Sequence, residues 1–247
     1  MTRKSKSETR SRPGLFNRIA KRIKKLWTNE VNVYFISGMC YNCSVFDKIK
    51  LPEGYNKQYI EWHIPRHDES LAEYARTMEK SIDTTKPFML AGYSFGGVIA
   101  QEISCFLSPL KVILISTFKS DGEIPMLFKA AKSTNAADRI PARVYASTEL
   151  ITDLFNRFVY HTPTSEQAEV MTFIDPVYVK WAIEQIINWV PRSKCKYLHH
   201  IHGTEDQIFP YELIKNAFPV EGGDHLMVLK KADIISIILG GILLMKE

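Results

Sequence analysis

Apolar residues recur along this chain with two alternating periods. Val31 to Ile36 is a short β-branched and aromatic run that stops at Ser37-Gly38, and Tyr59 to Ile64 reads as a second strand. Ser70 with Glu73 three residues later forms a capping box, after which Leu71, Tyr74, Ala75, Met78 and Ile82 line one helical face. Phe88 to Gly92 is the next strand, followed at once by a helix from about Phe95 to Leu107 that Ser108-Pro109 ends. Lys111 to Ser116 reads as a buried strand. Beyond residue 195 the alternation resumes, with a strand from Lys196 to His202, a helix near Pro210 to Asn216, a short strand from Phe218 to Val220 and a final apolar run, Ile234 to Met245. That run has about twelve residues where a membrane span needs roughly twenty, so it reads as a buried terminal helix. Strands separated by helices predict an α/β fold with a mostly parallel sheet and helices on both faces.

Two segments break this rhythm. Residues 117–195 are far more than one crossover helix requires, and they read as a helical lid or cap insertion. Thr164 or Ser165 suits the cap of one helix there and Asp175-Pro176 that of another. Its aromatic residues, including Phe155, Phe158, Phe173, Tyr178, Trp181 and Trp189, suit either the lining of an acyl pocket or the lid's own packing. At the other end, residues 1–29 read as a disordered basic tail leading into an amphipathic helix, with Leu15, Phe16, Ile19, Ala20, Ile23, Leu26 and Trp27 on one stripe. Residues 30–247 then form one domain.

The net charge of +5 hides an asymmetry. Residues 1–27 carry ten Lys or Arg against Glu8 alone, a balance of +9, so the remainder stands at −4. A body of that sign is a poor nucleic-acid surface, and no nucleic-acid partner is expected. The basic helix, residues 15–27, could instead meet an anionic membrane surface, bind nucleic acid as a tail, or dock on its own domain; the lipid surface suits Phe16 and Trp27 best. The basic N-terminus leads into no continuous apolar segment of signal-peptide type, and the four cysteines form no disulfide scaffold, so a reducing, cytoplasmic setting is expected, with peripheral attachment to the inner membrane surface.

The chemistry concentrates in three places. Gly92-Tyr93-Ser94-Phe95-Gly96 follows a strand and opens a helix, a context in which a serine hydroxyl stands clear of the sheet on a sharp turn. Such a hydroxyl needs an adjacent base, and His225 in the turn Gly222-Gly223-Asp224-His225 can reach back over the sheet. The base in turn needs a carboxylate, for which Asp206, just beyond a strand end in His202-Gly203-Thr204-Glu205-Asp206, is placed. Asp121 is an alternative acid after the strand ending at Ser116.

These motifs resemble the α/β-hydrolase superfamily, and more narrowly its small bacterial esterase and thioesterase-like members. The elbow at Ser94, Gly203 to Asp206 followed by Pro210, and Gly223-Asp224-His225 carry the resemblance, which runs from about Val31 to the end. Two departures stand out: Ser37-Gly38 replaces the His-Gly common after the first long strand, and the basic helix stands where a preceding hairpin is usual. The resemblance implies a serine hydrolase cleaving a carboxylic ester or thioester through Ser94, His225 and Asp206 and an acyl-enzyme, with no metal or cofactor. It also implies an oxyanion hole from the backbone N–H groups of Phe95 and Met39. An acyltransferase or a silent ligand-binding member remains an alternative on the same fold.

Other residues invite different chemistry. Cys40 and Cys43 form a C-x-x-C after a strand, which suggests either redox function or two thiols at the pocket mouth. His199, His200 and His202 suggest a metal, with positions 200 and 202 on one strand face, but no carboxylate is placed by sequence to complete a site.

Overall fold

In the computed structural model, residues 30–134, 169–192 and 195–246 are described. Six strands form one all-parallel sheet: β1 (Val31–Ile36), β2 (Tyr55–Ile60), β3 (Phe88–Tyr93), β4 (Val112–Ile115), β5 (Leu198–Gly203) and β6 (Phe218–Val220). Their spatial order is β2-β1-β3-β4-β5-β6. The chain therefore builds outward from β1 to one edge and then returns to fill the other side. Every residue of β3 and β4 is buried, as parallel strands covered on both faces require.

The covering helices are α1 (Leu71–Met78), α2 (Phe95–Ile103), α3 (Met126–Ser133), α4 (Pro176–Asn188), α5 (Met227–Lys230) and α6 (Ala232–Leu244). Both halves of the capping box form at α1, where Ser70 Oγ accepts from Glu73 N and the Glu73 carboxylate accepts from Ser70 N at 3.0 Å. At α4, Asp175 Oδ1 accepts from Val177 N at 2.9 Å and Tyr178 N at 3.1 Å, with Pro176 at the first helical position. Two buried charges fasten helices to their neighbours. Lys111 Nζ donates to the Ile242 and Met245 carbonyls, both at 2.7 Å, and so closes the C-terminal end of α6. The Glu102 carboxylate on α2 accepts from Trp189 Nε1 at 2.7 Å and from two nitrogens of Arg192, which fastens the end of α4.

The structure shifts several sequence-based boundaries. The second strand is Tyr55–Ile60 rather than 59–64, and its polar residues Asn56, Lys57 and Gln58 are tolerated because β2 lies at the sheet edge. Lys57 Nζ there donates to the Phe46 and Ile49 carbonyls. The segment near 210–216 holds only a short 3-10 turn, Tyr211–Leu213, and α2 stops at Ile103. The terminal helix forms, but only one face is buried: Ile237 is 76% exposed and Leu244 63%. Of the expected insertion, α3 and α4 lie within the described residues. The caps at Thr164 or Ser165, Phe155, Phe158, and the basic helix of residues 15–27 lie outside them. No helix among the described residues is long and apolar enough to cross a membrane.

Candidate active site

Ser94 sits between β3 and α2 with φ 52° and ψ −119°, a backbone conformation that a non-glycine residue adopts only when its surroundings enforce it. The enforcement is visible. Ser94 N donates to the Ile115 carbonyl at 2.9 Å, which pins the turn to β4. A Cβ added at Gly92 would collide with the Gly96 carbonyl, and one added at Gly96 would collide with the Ile36 carbonyl. The flanking glycines therefore allow strand, helix and β1 to meet directly under the serine.

Asp206 and His225 follow the ends of β5 and β6, on the same edge of the sheet as Ser94. His225 Nε2 lies 3.0 Å from Ser94 Oγ, and His225 Nδ1 lies 2.9 Å from Asp206 Oδ2. The other carboxylate oxygen, Asp206 Oδ1, accepts from Ile208 N at 2.9 Å and Phe209 N at 3.0 Å. Burial alone would push the Asp206 carboxyl up, but the facing His225 ring and its hydrogen bond, with His202 and the Phe209 N–H, outweigh it and hold the carboxyl below its ordinary value. Asp206 is therefore an anion with hydrogen bonds on both carboxylate oxygens, and His225 is fixed with its Nδ1 proton toward it. That leaves Nε2 as an acceptor for the serine hydroxyl proton.

The loop after β1 passes directly over the elbow. A Cβ at Gly38 would stand 3.3 Å from Ser94 Cβ and 2.8 Å from the Tyr93 ring, so Gly38-Met39 runs beside the serine. Trp62 Nε1 donates to the Gly38 carbonyl at 3.1 Å and Ser37 Oγ donates to the Tyr41 carbonyl at 2.6 Å. Phe95 N is the first amide of α2, where N–H groups lack intrahelical partners.

The competing candidates fall elsewhere. Asp121 is exposed, at the start of a 3-10 turn, while Asp206 holds His225. Glu205 is exposed, and Asp224 pairs with Lys230. Cys40 and Cys43 are free and buried, and burial pushes each thiol up to about 12, the opposite of a reactive thiolate. His200 and His202 hydrogen-bond to each other at 3.1 Å, and no group of three or more metal-type ligands occurs among the described residues.

Of the aromatic residues expected in the insertion, Trp189 packs on Phe118 and Glu102, and Tyr178 on Phe173 and Trp62. Trp181 packs on Tyr74 and donates from Nε1 to the Glu69 carbonyl. These contacts are the packing alternative. Three neighbours of the site were not singled out from the sequence: Trp62, stacked on Phe95 at 5.4 Å, and Tyr93 and Phe209, which bracket the His225 ring at 5.6 Å each. Tyr93 had a signal in its place beside Ser94 in the glycine-flanked motif, whereas Trp62 and Phe209 reach the site from other loops.

An all-parallel sheet with a strand-turn-helix serine at its centre defines an α/β hydrolase. Within that class the chain belongs to the thioesterase domain family, whose model matches residues 59–196, more than half of the 247 residues. It is a hydrolase of the esterase or thioesterase type, with acyl esters or thioesters as substrates. No curated protein matches the sequence. Among solved structures it is similar to MenH from S. aureus, with 17% identity and a TM-score of 0.65 over 87% of this chain and 93% of that one. It is also similar to a thermophilic esterase from Thermogutta terrifontis, at 13% identity and TM-score 0.61 over 86% and 89%. The RedJ thioesterase from the prodiginine biosynthetic pathway of Streptomyces coelicolor gives 12% identity and TM-score 0.61 over 86% and 85%. At such identities the likeness speaks for the fold alone.

Proposed function

We propose that the protein hydrolyses an acyl ester or thioester through Ser94, His225 and Asp206. Ser94 Oγ attacks the acyl carbonyl while His225 Nε2 takes its proton, and Asp206 holds the ring and stabilises the imidazolium. The N–H groups of Phe95 and Met39 face the developing oxyanion. The tetrahedral adduct expels the alcohol or thiol, which receives the proton from His225. Water, deprotonated by the same nitrogen, then releases the acid and restores Ser94.

The observation that carries this reading is the unbroken pair of hydrogen bonds, 3.0 and 2.9 Å, joining three residues distant along the chain at one sheet edge. The MenH, esterase and RedJ likenesses support the fold on which such chemistry is found. Profiling p-nitrophenyl esters and acyl thioesters of graded length tests it. Turnover should favour acyl groups with an apolar portion, and Ser94→Ala should lower kcat by at least about 10³-fold without unfolding the protein. Equal turnover by Ser94→Ala would refute it, and product analysis with an added alcohol or amine separates hydrolysis from acyl transfer.

A further inference from the structure

Beside Asp206 lies a row of polar side chains that the reaction above does not use. His200 and His202, both fully buried, share one face of β5, and Lys119 and Glu123 close the row. His202 Nε2 lies 2.8 Å from the Phe209 carbonyl and 3.4 Å from Asp206 Oδ2, the same oxygen that faces His225. His202 Nδ1 lies 3.1 Å from His200 Nε2, and His200 Nδ1 lies 3.2 Å from Lys119 Nζ.

The direction of every proton in this row follows from its far end. A lysine ammonium has three N–H donors and no acceptor. Lys119 has three partners for them: Glu123 Oε1 at 2.8 Å, the Lys215 carbonyl, and His200 Nδ1. His200 Nδ1 must therefore accept, which puts the His200 proton on Nε2. That N–H points at His202 Nδ1, which must accept in turn, so the His202 proton sits on Nε2. There it donates to the Phe209 carbonyl, and its positive end lies beside Asp206 Oδ2 at 3.4 Å. The opposite tautomer would aim a lone pair at both, inside a region that water does not reach. Glu123, only 1% exposed at its side chain, neutralises Lys119 and also accepts from Lys119 N at 2.8 Å and Lys215 N at 3.0 Å.

We propose that Lys119, His200 and His202 form a tautomer lock beside Asp206: the Lys119 ammonium sets both rings to the Nε2–H form, so that His202 supports the Asp206 carboxylate that orients His225. The three are positioning residues, since none touches Ser94, and their role rests on the hydrolase reading given above. The groups facing the row are Lys119 and Glu123 at one end, Asp206 and His225 at the other, Tyr211, whose ring lies 6.3 Å from that of His202, and the Thr117 carbonyl beside His200. Burial first, and then its charged neighbours, hold the His200 ring well below its ordinary pKa, and burial also lowers His202 against the pull of Asp206. Both rings are thus neutral at pH 7, the state in which tautomers exist.

Long-range 1H–15N correlation on the full chain labelled with 15N-histidine reads the tautomers directly. At pH 7.5 wild type should show Nε2–H for both His200 and His202. The double variant Lys119→Met with Glu123→Gln, which removes the ion pair together, should shift His202 toward Nδ1–H. Its kcat should fall about tenfold, as the His202 N–H turns away from the Asp206 carboxylate and its electrostatic support is lost, with KM within about twofold. Lys119→Arg, still a pure donor, should keep both tautomers and restore kcat to within about threefold of wild type. A wild-type His200 protonated at Nδ1 and turned to the Thr117 carbonyl overturns the lock, and this spectrum decides even if the double variant fails to fold. Unchanged tautomers in a folded double variant, or a change in KM alone, also overturn it. Ser94→Ala should retain both tautomers while losing turnover. A wild type without serine-dependent turnover would instead fail the hydrolase reading and the positioning role together, leaving the tautomers as structure only.

Discussion

Gly203 and Gly223 meet backbone to backbone, so closely that a Cβ on Gly203 would overlap the Gly223 carbonyl. This contact joins the loop that carries Asp206 to the loop that carries His225. It is reinforced by Glu205 N donating to the Gly223 carbonyl at 2.8 Å and Gly222 N donating to Thr204 Oγ1 at 2.9 Å. The spacing between acid and base is therefore set by main chain, and side-chain flexibility has little part in it.

Gly203→Ala should push the two loops apart. A displacement of about 1 Å at a reacting group costs on the order of 10²-fold in rate, so kcat should fall by that amount even in protein that still folds. Steady-state kinetics with circular dichroism as a folding control checks this. Thr204→Val, which removes one side-chain acceptor and leaves the glycine contact, should cost less.

Acid should weaken the fold through the histidine row. The folded state holds His200 and His202 below their ordinary value of 6.5, so below that pH the unfolded chain binds more protons than the native one. Stability is therefore fully present above about pH 7 and falls as pH drops through 6.5, by up to about 1.4 kcal/mol per pH unit for each ring. Asp206, held below 3.8, contributes stability that is fully present above that value and is lost as the pH falls from there through its folded value. Urea midpoints between pH 4.5 and 8.5 should decline on the acid side from near 6.5. A flat profile would contradict the neutral burial of these rings.

Lys111→Met should destabilise without touching the chemistry. It takes the ammonium donor from the Ile242 and Met245 carbonyls, leaving Ile242 only the longer bond from Met245 N at 3.3 Å, so the expected loss is about 1–3 kcal/mol in urea unfolding, with kcat and KM unchanged.

The sequence of residues 15–27 has apolar residues at helical spacing and five basic residues between them, and we propose that this segment brings the enzyme to anionic lipid. Full-length protein should pellet with phosphatidylserine-containing vesicles, while protein lacking residues 1–29 should stay in the supernatant. Equal recovery of the two would rule it out.

That Ser94, Asp206 and His225 would meet at one edge of the sheet was legible in the sequence, because each sits at a strand end marked by glycine and backbone geometry leaves few other residues that fit. The β2 boundary was not legible, since an edge strand tolerates Asn56, Lys57 and Gln58 on its open side. Nor was the purpose of His200 and His202, whose spacing suggested a metal. Their partners Lys119, Glu123 and Asp206 come from other loops, so only the folded chain reveals a hydrogen-bonded row in place of ligands. Trp62 on the Gly38 carbonyl was hidden for the same reason.

Covalent trapping of the serine tests the account most directly. Wild-type protein treated with a fluorophosphonate probe should gain one adduct by intact mass, mapped by peptide sequencing to Ser94, absent from Ser94→Ala and slowed by about 10³-fold or more in His225→Ala. No adduct, or an adduct on another serine that survives Ser94→Ala, would contradict it.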